Sequence, residues 1–275
     1  MEPRTTTSDT MLDAYAPVQI AVRVRDGGVA KAMLPVFTMF ALALLGGAFI
    51  ALGALFFTVA ITTGGATPVP FGLLRLAGGA AFSLGLILVV AGGAELFTGN
   101  NLIAMAWASG RVTTQQVIRN WGWVYLGNLV GAVGTALLVW LAGVQTLSDG
   151  AVGETMVRIA RAKVALDPVS AFTRGVLCNV LVCLAVWLCM GARGVADKIL
   201  AIVFPISAFV ACGFEHSVAN MYVLSIGMLL TAASAAPIPL GGVLHNLALV
   251  TIGNVLGGTV LVALVYWSVY LRHEA

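Results

Sequence analysis

The chain has 275 residues, of which 60% are hydrophobic and 9% are charged, and its mean hydropathy is +1.01. This composition excludes an ordinary soluble domain of that length and predicts an integral membrane protein. The formal net charge of +3 is carried by the loops and gives no indication of a nucleic-acid partner.

Charge-free stretches predict the membrane-spanning helices, because a spanning helix needs about 20 mostly apolar residues. No Asp, Glu, Lys or Arg lies between positions 31 and 75, 119 and 149, or 215 and 272. We therefore expect an all-α membrane domain over residues 32–271, after a polar N-terminal segment (1–31) and before a short tail (272–275). The apolar runs predict six helices over residues 32–62, 71–107, 116–142, 169–191, 197–230 and 245–271.

The connections between these helices predict the orientation of the chain. The third connection, residues 143–168, is the longest, and we expect a short amphipathic helix over residues 154–164. Six spans place both termini on one side, and that side carries more Lys and Arg, which predicts cytoplasmic termini. The nine inner residues are Arg4, Arg23, Arg25, Lys31, Arg111, Arg119, Arg193, Lys198 and Arg272, against Arg158, Arg161 and Lys163 outside.

A weak internal repeat relates the two halves of the chain. AELFTGN at 94–100 and FEHSVAN at 214–220 both read E-x-x-x-x-N, and GNLVGA at 127–132 is matched by GNVLGG at 253–258. Because the repeated unit has three spans, the two copies must be inverted in the membrane. Inverted repeats with interrupted helices indicate a transport site near mid-membrane. We expect the second and fifth helices to be interrupted there.

Four residues are expected to stabilise the interruptions of the second and fifth helices. The glycines beside Asn128 and Asn254 are typical of closely packed helices, and these two amides need partners, which the freed backbone would supply. Glu95 and Glu215 are ionisable groups deep in spans. We expect both carboxylates to turn away from an anion path and to accept hydrogen bonds from backbone N–H groups at the start of the following half-helix.

His216 is the candidate residue for the transport chemistry. Imidazole can donate and accept hydrogen bonds and can change its charge near neutral pH. We expect the buried ring to be neutral, and to share a proton with an arriving anion so that a neutral weak acid crosses the apolar barrier. Thr98, in the other interruption, is expected to donate a hydrogen bond to the same solute. The alternative is a histidine bonded within the core.

At these residues the sequence resembles the formate/nitrite transporter family. The matching segments are SLGLILVVAGGAELFTGNNL, RNWGWVYLGNLVGA, NVLVCLAVWL, GFEHSVANMY and VTIGNVLGG, which together span residues 83–258. The resemblance implies an aquaporin-like six-helix protomer with its own pore, in a homopentamer around a lipid-filled axis in the bacterial cytoplasmic membrane. It implies formate as the first substrate, nitrite as the second, and hydrosulfide or other small anions as alternatives.

The same resemblance implies roles for individual residues. His216 would be the pore histidine, Thr98 its partner and Asn179 a polar residue near the path. Lys163 would raise the local anion concentration at the outer pore mouth, unless it is simply a solvated loop charge. The resemblance places apolar constrictions, which would exclude hydrated ions, at Phe82, Leu86, Leu96, Phe97 and Phe209.

Two other classes of protein compete with this interpretation. An aquaporin-like channel for neutral solutes would also have inverted halves, but the sequence has no NPA motif. An intramembrane enzyme would need a nucleophile with a base, or several metal ligands. The only histidines, His216, His245 and His273, form no such motif, so we expect no catalytic residues, metal or cofactor. The direction of transport and a gating role for residues 1–31 stay open.

Overall fold

The computed structural model describes residues 13–63 and 69–274, and these ranges are helical without a β-strand. Arg4 and part of the first predicted connection lie outside them. Five helices of the described ranges are long and apolar enough to cross a membrane: Val36–Ile61, Phe71–Gly92, Thr114–Leu141, Pro168–Gly191 and Leu240–Tyr270. The helices are α1 (Pro17–Ala32), α2 (Val36–Ile61), α3 (Phe71–Gly92), α4 (Ala104–Ala108), α5 (Thr114–Leu141), α6 (Ala151–Val164), α7 (Pro168–Gly191), α8 (Val195–Ala211), α9 (Ser217–Thr231), α10 (Leu240–Val255) and α11 (Val265–Tyr270).

Helix α1 lies in the segment that the sequence predicts only as polar. It begins with Pro17, whose fixed φ suits the first helical position. Its buried residues pack against the segment that follows α3 and against α7. Gly28 permits this contact, because a Cβ there would lie 3.3 Å from the Cα of Ile103. Of the two glycines at 27 and 28, which argue against a helix in isolation, Gly28 therefore serves packing, whereas a Cβ on Gly27 would meet no atom within 4 Å.

The last helix begins at Leu240, five residues earlier than predicted, and is continuous to Tyr270. Residues Leu256–Leu264 have π-helical hydrogen bonding between α10 and α11. The amphipathic helix expected over 154–164 corresponds to α6, which lies in the third connection and packs against α9.

Two of the predicted helices leave the helical conformation in their middle. After α3 the chain turns at Gly93, with φ +80°, and residues 94–98 are not helical. A 3₁₀ turn (Gly99–Ile103) then leads into α4. After α8 it turns at Gly213, with φ +74°, and α9 starts at Ser217. Glycine suits both turns because other L-residues rarely adopt positive φ.

Glycines bring the long helices into backbone contact. A Cβ on Gly47 of α2 would lie 2.1 Å from the carbonyl oxygen of Asn128, and a Cβ on Gly131 of α5 would lie 2.0 Å from that of Leu44. The second half has the same arrangement, since Gly257 approaches the Val176 carbonyl of α7 as closely. Helices in lipid associate through such close contacts, because lipid provides no hydrophobic driving force for their association.

We predict that Gly131→Ala destabilises the protein, because its methyl group must displace the backbone of α2. The loss is expected to be about 1–3 kcal/mol, as for other overpacked sites. Gly134→Ala, on the same helix with no atom within 4 Å of its Cβ, is the matched control. Thermal unfolding of the purified protein in detergent measures both, and equal midpoints for the two variants would contradict the packing argument.

Candidate functional site

Asn128 forms hydrogen bonds with backbone groups of residues 94–98, the non-helical segment after α3 that we call the first break. Its Oδ1 accepts a hydrogen bond from the Phe97 N–H at 2.9 Å, and its Nδ2 donates to the carbonyls of Ala43 at 2.7 Å and Glu95 at 2.9 Å. One amide on α5 therefore ties the broken segment to α2. These bonds replace those that a continuous helix would have made within itself.

Asn254 does the same at residues 212–216, the segment between α8 and α9 that we call the second break. Its Oδ1 accepts from the Ser217 N–H at 2.9 Å, and its Nδ2 donates to the carbonyls of Gly175 at 2.7 Å and Glu215 at 3.0 Å. Both asparagines are fully buried. The repeat seen in the sequence is thus also a repeat of hydrogen bonds.

Glu95 belongs to a polar cluster that we call the Lys31 network. Lys31 at the end of α1 makes an ion pair with Glu95 Oε1. Asn100 Nδ2 donates to Glu95 Oε2 at 2.6 Å and to Asn120 Oδ1 at 2.9 Å, and Asn120 Nδ2 donates back to the Lys31 carbonyl at 3.1 Å. The carboxylate is buried, and every member of the cluster bonds to another member.

Glu215 belongs to an equivalent Lys163 network. The Lys163 ammonium lies 2.9 Å from both carboxylate oxygens. Asn220 Nδ2 donates to Glu215 Oε2 at 2.7 Å and to Asn246 Oδ1 at 2.8 Å, and Asn246 Nδ2 donates to the Lys163 carbonyl at 2.9 Å. Lys163 is therefore neither a solvated loop charge nor an isolated cation.

The prediction that Glu95 and Glu215 cap backbone N–H groups is wrong. Both carboxylates accept from a lysine ammonium and an asparagine amide instead. A buried carboxylate is compensated better by a full positive charge than by neutral donors. The first turn of α9 has other partners, because His216 and Asn254 accept its N–H groups.

Sequence reasoning missed most members of the two networks. The signal was partly visible, because Asn100 and Asn220 end the two E-x-x-x-x-N segments. An asparagine also stands eight positions before both Asn128 and Asn254. The lysines carry no such signal, since each lies on a helix far along the chain from its glutamate. The residues missed in this way are Lys31, Asn100, Asn120, Asn220 and Asn246.

Thr98 and His216 meet at the centre of the molecule. Thr98 Oγ1 lies 3.0 Å from His216 Nε2, and His216 Nδ1 accepts from the Ala219 N–H at 3.0 Å. A backbone N–H can only donate, so Nδ1 carries no proton and the neutral ring holds its proton on Nε2. That proton points to Thr98 Oγ1, which leaves the threonine hydroxyl hydrogen available to a further acceptor.

The two halves contribute different residues to this centre. Leu96 follows Glu95 in the first break as His216 follows Glu215 in the second, and Val218 stands where the first break has Thr98. Each repeat thus supplies one polar and one apolar side chain. The resulting pair is polar, and the Phe82 and Phe209 rings lie beside His216.

Asn179 lies beside the centre and supports it. Its Nδ2 lies 2.7 Å from both Asn101 Oδ1 and the Asn254 carbonyl oxygen and 3.2 Å from the Thr98 carbonyl oxygen, so its two hydrogens are shared among three acceptors. It lies outside the lining of both cavities described below. A Cβ on Gly258 would lie 2.4 Å from this amide, so glycine there is required. The contacts of Asn179 thus orient the segment that carries Thr98.

Two cavities approach the centre from opposite sides. The Lys163 cavity, of about 450 Å³, is lined by Lys163, Glu215, Asn220 and His216 among others. The Lys31 cavity, of about 220 Å³, is lined by residues of the Lys31 network and of the first break: Lys31, Glu95, Leu96, Gly99 and Asn100. Thr98 is fully buried and lines neither cavity, but the nearby Leu96 and Gly99 line the Lys31 cavity and its hydrogen-bond partner His216 lines the Lys163 cavity.

Four of the five predicted constriction residues line a cavity. Phe82 and Phe209 line the Lys163 cavity, with their ring centroids 5.5 Å apart at a near-perpendicular angle. The Phe209 ring also stacks on His216, with centroids 6.0 Å apart. Leu86 and Leu96 line the Lys31 cavity. Phe97 lines neither of the two, and its ring packs against two aromatic residues of α5, Trp121 and Tyr125.

Comparison with known proteins identifies relatives over almost the full length. The family model "Formate/nitrite transporter" matches residues 18–268. The formate channel FocA of Escherichia coli K12 is 41% identical, over 97% of this chain and 98% of its own. The Haemophilus influenzae formate channel FocA is 37% identical, over 90% and 92% of the two chains. A solved pentameric formate channel with formate bound has a TM-score of 0.77 at 38% identity, covering 86% of this chain and 98% of that one. An FNT family ion channel has a TM-score of 0.82 at 31% identity, covering 91% and 98%.

We predict that Lys163→Met destabilises the protein by about 3–5 kcal/mol, because it leaves the Glu215 carboxylate buried without its cation. The double variant Lys163→Met/Glu215→Gln should recover most of this loss, since the neutral amide still accepts from Asn220. Thermal unfolding in detergent measures both proteins. A double variant no more stable than Lys163→Met would show that the ion pair is not what stabilises this region.

Proposed function

Because the chain belongs to the formate/nitrite transporter family, we propose that it is a membrane channel for small monovalent anions, with formate as its principal substrate. Formate channels are among its full-length relatives and structural neighbours, which supports formate over other anions. Nitrite, of the same charge and similar size, is the second candidate. Hydrosulfide is the third.

The observation that carries this proposal is the Thr98–His216 hydrogen bond between the two cavities. It is the polar point of an otherwise apolar barrier, in which Phe82 and Phe209 face His216 on one side and Leu86 and Leu96 line the other. A hydrated ion does not fit between packed rings. A small anion that sheds its water needs a donor, and the Thr98 hydroxyl hydrogen is available.

His216 contributes by sharing a proton through Thr98. The anion accepts the hydroxyl hydrogen of Thr98, whose oxygen is supported by the Nε2 proton of His216, so negative charge is spread over both groups. Complete transfer from a neutral ring would leave an imidazolate. A proton that travels with the anion must therefore enter from a cavity. It arrives either bound to the acid itself or on His216 Nδ1, once Nδ1 no longer accepts the hydrogen bond from the Ala219 N–H.

Around this site we propose six membrane spans in two inverted repeats. The second span would be α3 with the 3₁₀ turn and α4, and the fifth would be α8 with α9, each interrupted at mid-membrane. The recurring networks of Lys31 and Lys163 support this pairing. We place the Lys31 cavity and both termini on the cytoplasmic side of a bacterial inner membrane, with five protomers around a lipid-filled axis.

Formate flux into proteoliposomes as a function of pH tests the role of His216. Asparagine at this position still accepts the Ala219 N–H as an N-cap but cannot take up a proton. We predict that, after subtraction of the formic acid leak measured in protein-free liposomes, formate flux through His216→Asn does not change with pH. Wild-type flux, corrected in the same way, should rise as the pH falls.

His216→Ala is the companion variant, because it removes the cap and the partner of Thr98 together. It should lose about 1 kcal/mol of stability as well as flux. If formate uptake by both variants matched wild type at every pH, proton sharing at His216 would be wrong while the channel assignment survived. Absence of flux in wild type would reject the channel itself.

Thr98→Val tests the hydroxyl donor, since valine keeps the shape and leaves the Nε2 proton without an acceptor. We expect formate flux to fall by about tenfold or more, because the lost bond to a charged group is worth about 1.5–3 kcal/mol. Thr98→Ser retains the hydroxyl and should conduct within a few-fold of wild type. Equal flux in the valine and serine variants would remove Thr98 from the mechanism.

A further inference from the structure

The Lys163 cavity is lined by more cationic than anionic side chains. Four cationic side chains line it, Arg75, Arg158, Lys163 and Arg174, against the single carboxylate of Glu215. The Lys31 cavity has two cations, Lys31 and Lys198, against Glu95. The excess of cationic side chains is therefore larger in the Lys163 cavity, three against one in the Lys31 cavity.

Most of this excess is not used by the fold. Lys163 is neutralised by Glu215, and the Arg75 guanidinium donates to the Val210 and Ala211 carbonyls at the end of α8. Among the described residues, the Arg158 guanidinium donates a hydrogen bond to the hydroxyl of Thr155, at 3.3 Å. Within the described ranges, neither Arg158 nor Arg174 makes an ion pair with a carboxylate.

The same cavity has a large apolar wall. Phe57, Ile159, Leu166 and Phe214 line it, and its volume of about 450 Å³ falls in the range of small-molecule sites. Formate has three heavy atoms and fills little of this space. Guanidinium groups bind carboxylates with paired hydrogen bonds, and an apolar wall favours a ligand with a carbon skeleton over a fully hydrated inorganic anion.

We propose that the Lys163 cavity is a second anion site, in which Arg158 and Arg174 bind a small dicarboxylate. This ligand cannot follow formate through the barrier. The Phe82 and Phe209 rings are in contact, and the Thr98–His216 pair can relieve one negative charge but not two. A bound dicarboxylate therefore occupies the access route and inhibits formate flux. The inhibition rests on the proposed function, whereas the binding does not.

Calorimetric titration of the purified full-length protein with malonate tests the site independently of transport. The double variant Arg158→Gln/Arg174→Gln should bind malonate at least about tenfold more weakly, the loss expected for about 1.4 kcal/mol of charged hydrogen bonding. Arg161→Gln is the matched control. Arg161 lies on the same helix, donates to the Ala236 carbonyl and does not line this cavity, so its variant should bind like wild type.

Acetate, sulfate and succinate complete the titration. Acetate and sulfate should bind at least about tenfold more weakly than malonate, and succinate should bind measurably. Undetectable malonate binding, sulfate or acetate binding as tight as malonate, or equal weakening by Arg161→Gln would overturn the proposal. In proteoliposomes malonate should reduce formate flux in wild type and not in the double variant. Binding without inhibition would reject the blocking step alone, and absence of formate flux without malonate would instead reject the proposed function.

Discussion

The structure depends on one constraint, that a backbone polar group inside an apolar environment must find its partner within the protein. Breaking a helix there releases N–H and C=O groups that water cannot reach. Asn128 and Asn254 meet this requirement with three hydrogen bonds each. Because both amides reach across to a neighbouring long helix, the repair of each break also fixes its position. The central pair of Thr98 and His216 is held in place as a consequence.

The same constraint explains how charge is distributed around the centre. Each glutamate beside a break is matched by a lysine and by an asparagine, so the two carboxylates add structure without presenting a free negative charge to an anion. Burial makes such pairs costly to break rather than strongly stabilising. Among the described residues, Arg158 and Arg174 make no ion pair with a carboxylate, and both line the Lys163 cavity. The charged residues that stabilise the fold are thus different from those that we propose to bind a ligand.

An approximate repeat produces an asymmetric site. The networks of Lys31 and Lys163 have the same residue types in the same roles, and so do Asn128 and Asn254. The centre differs because Leu96 and His216 occupy corresponding positions, as do Thr98 and Val218. One hydroxyl and one imidazole therefore meet where full symmetry would have placed like residues against each other. The Nδ1 bond from Ala219 N–H then selects the ring tautomer that faces Thr98.

By itself the sequence determined the membrane class, most of the long helices and the two glutamate-containing segments at which the helical conformation ends, and it singled out Thr98, His216, Asn128 and Asn254 as candidates. Those features depend on composition and on local residue patterns, which a single chain displays. Tertiary structure alone decided the partners of the glutamates, because Lys31 and Lys163 lie 64 and 52 residues from them along the chain. It also decided that Phe97 packs against α5 and that residues 17–32 form a helix. Each of these outcomes depends on which surfaces meet after folding, and hydropathy along the chain carries no information on that.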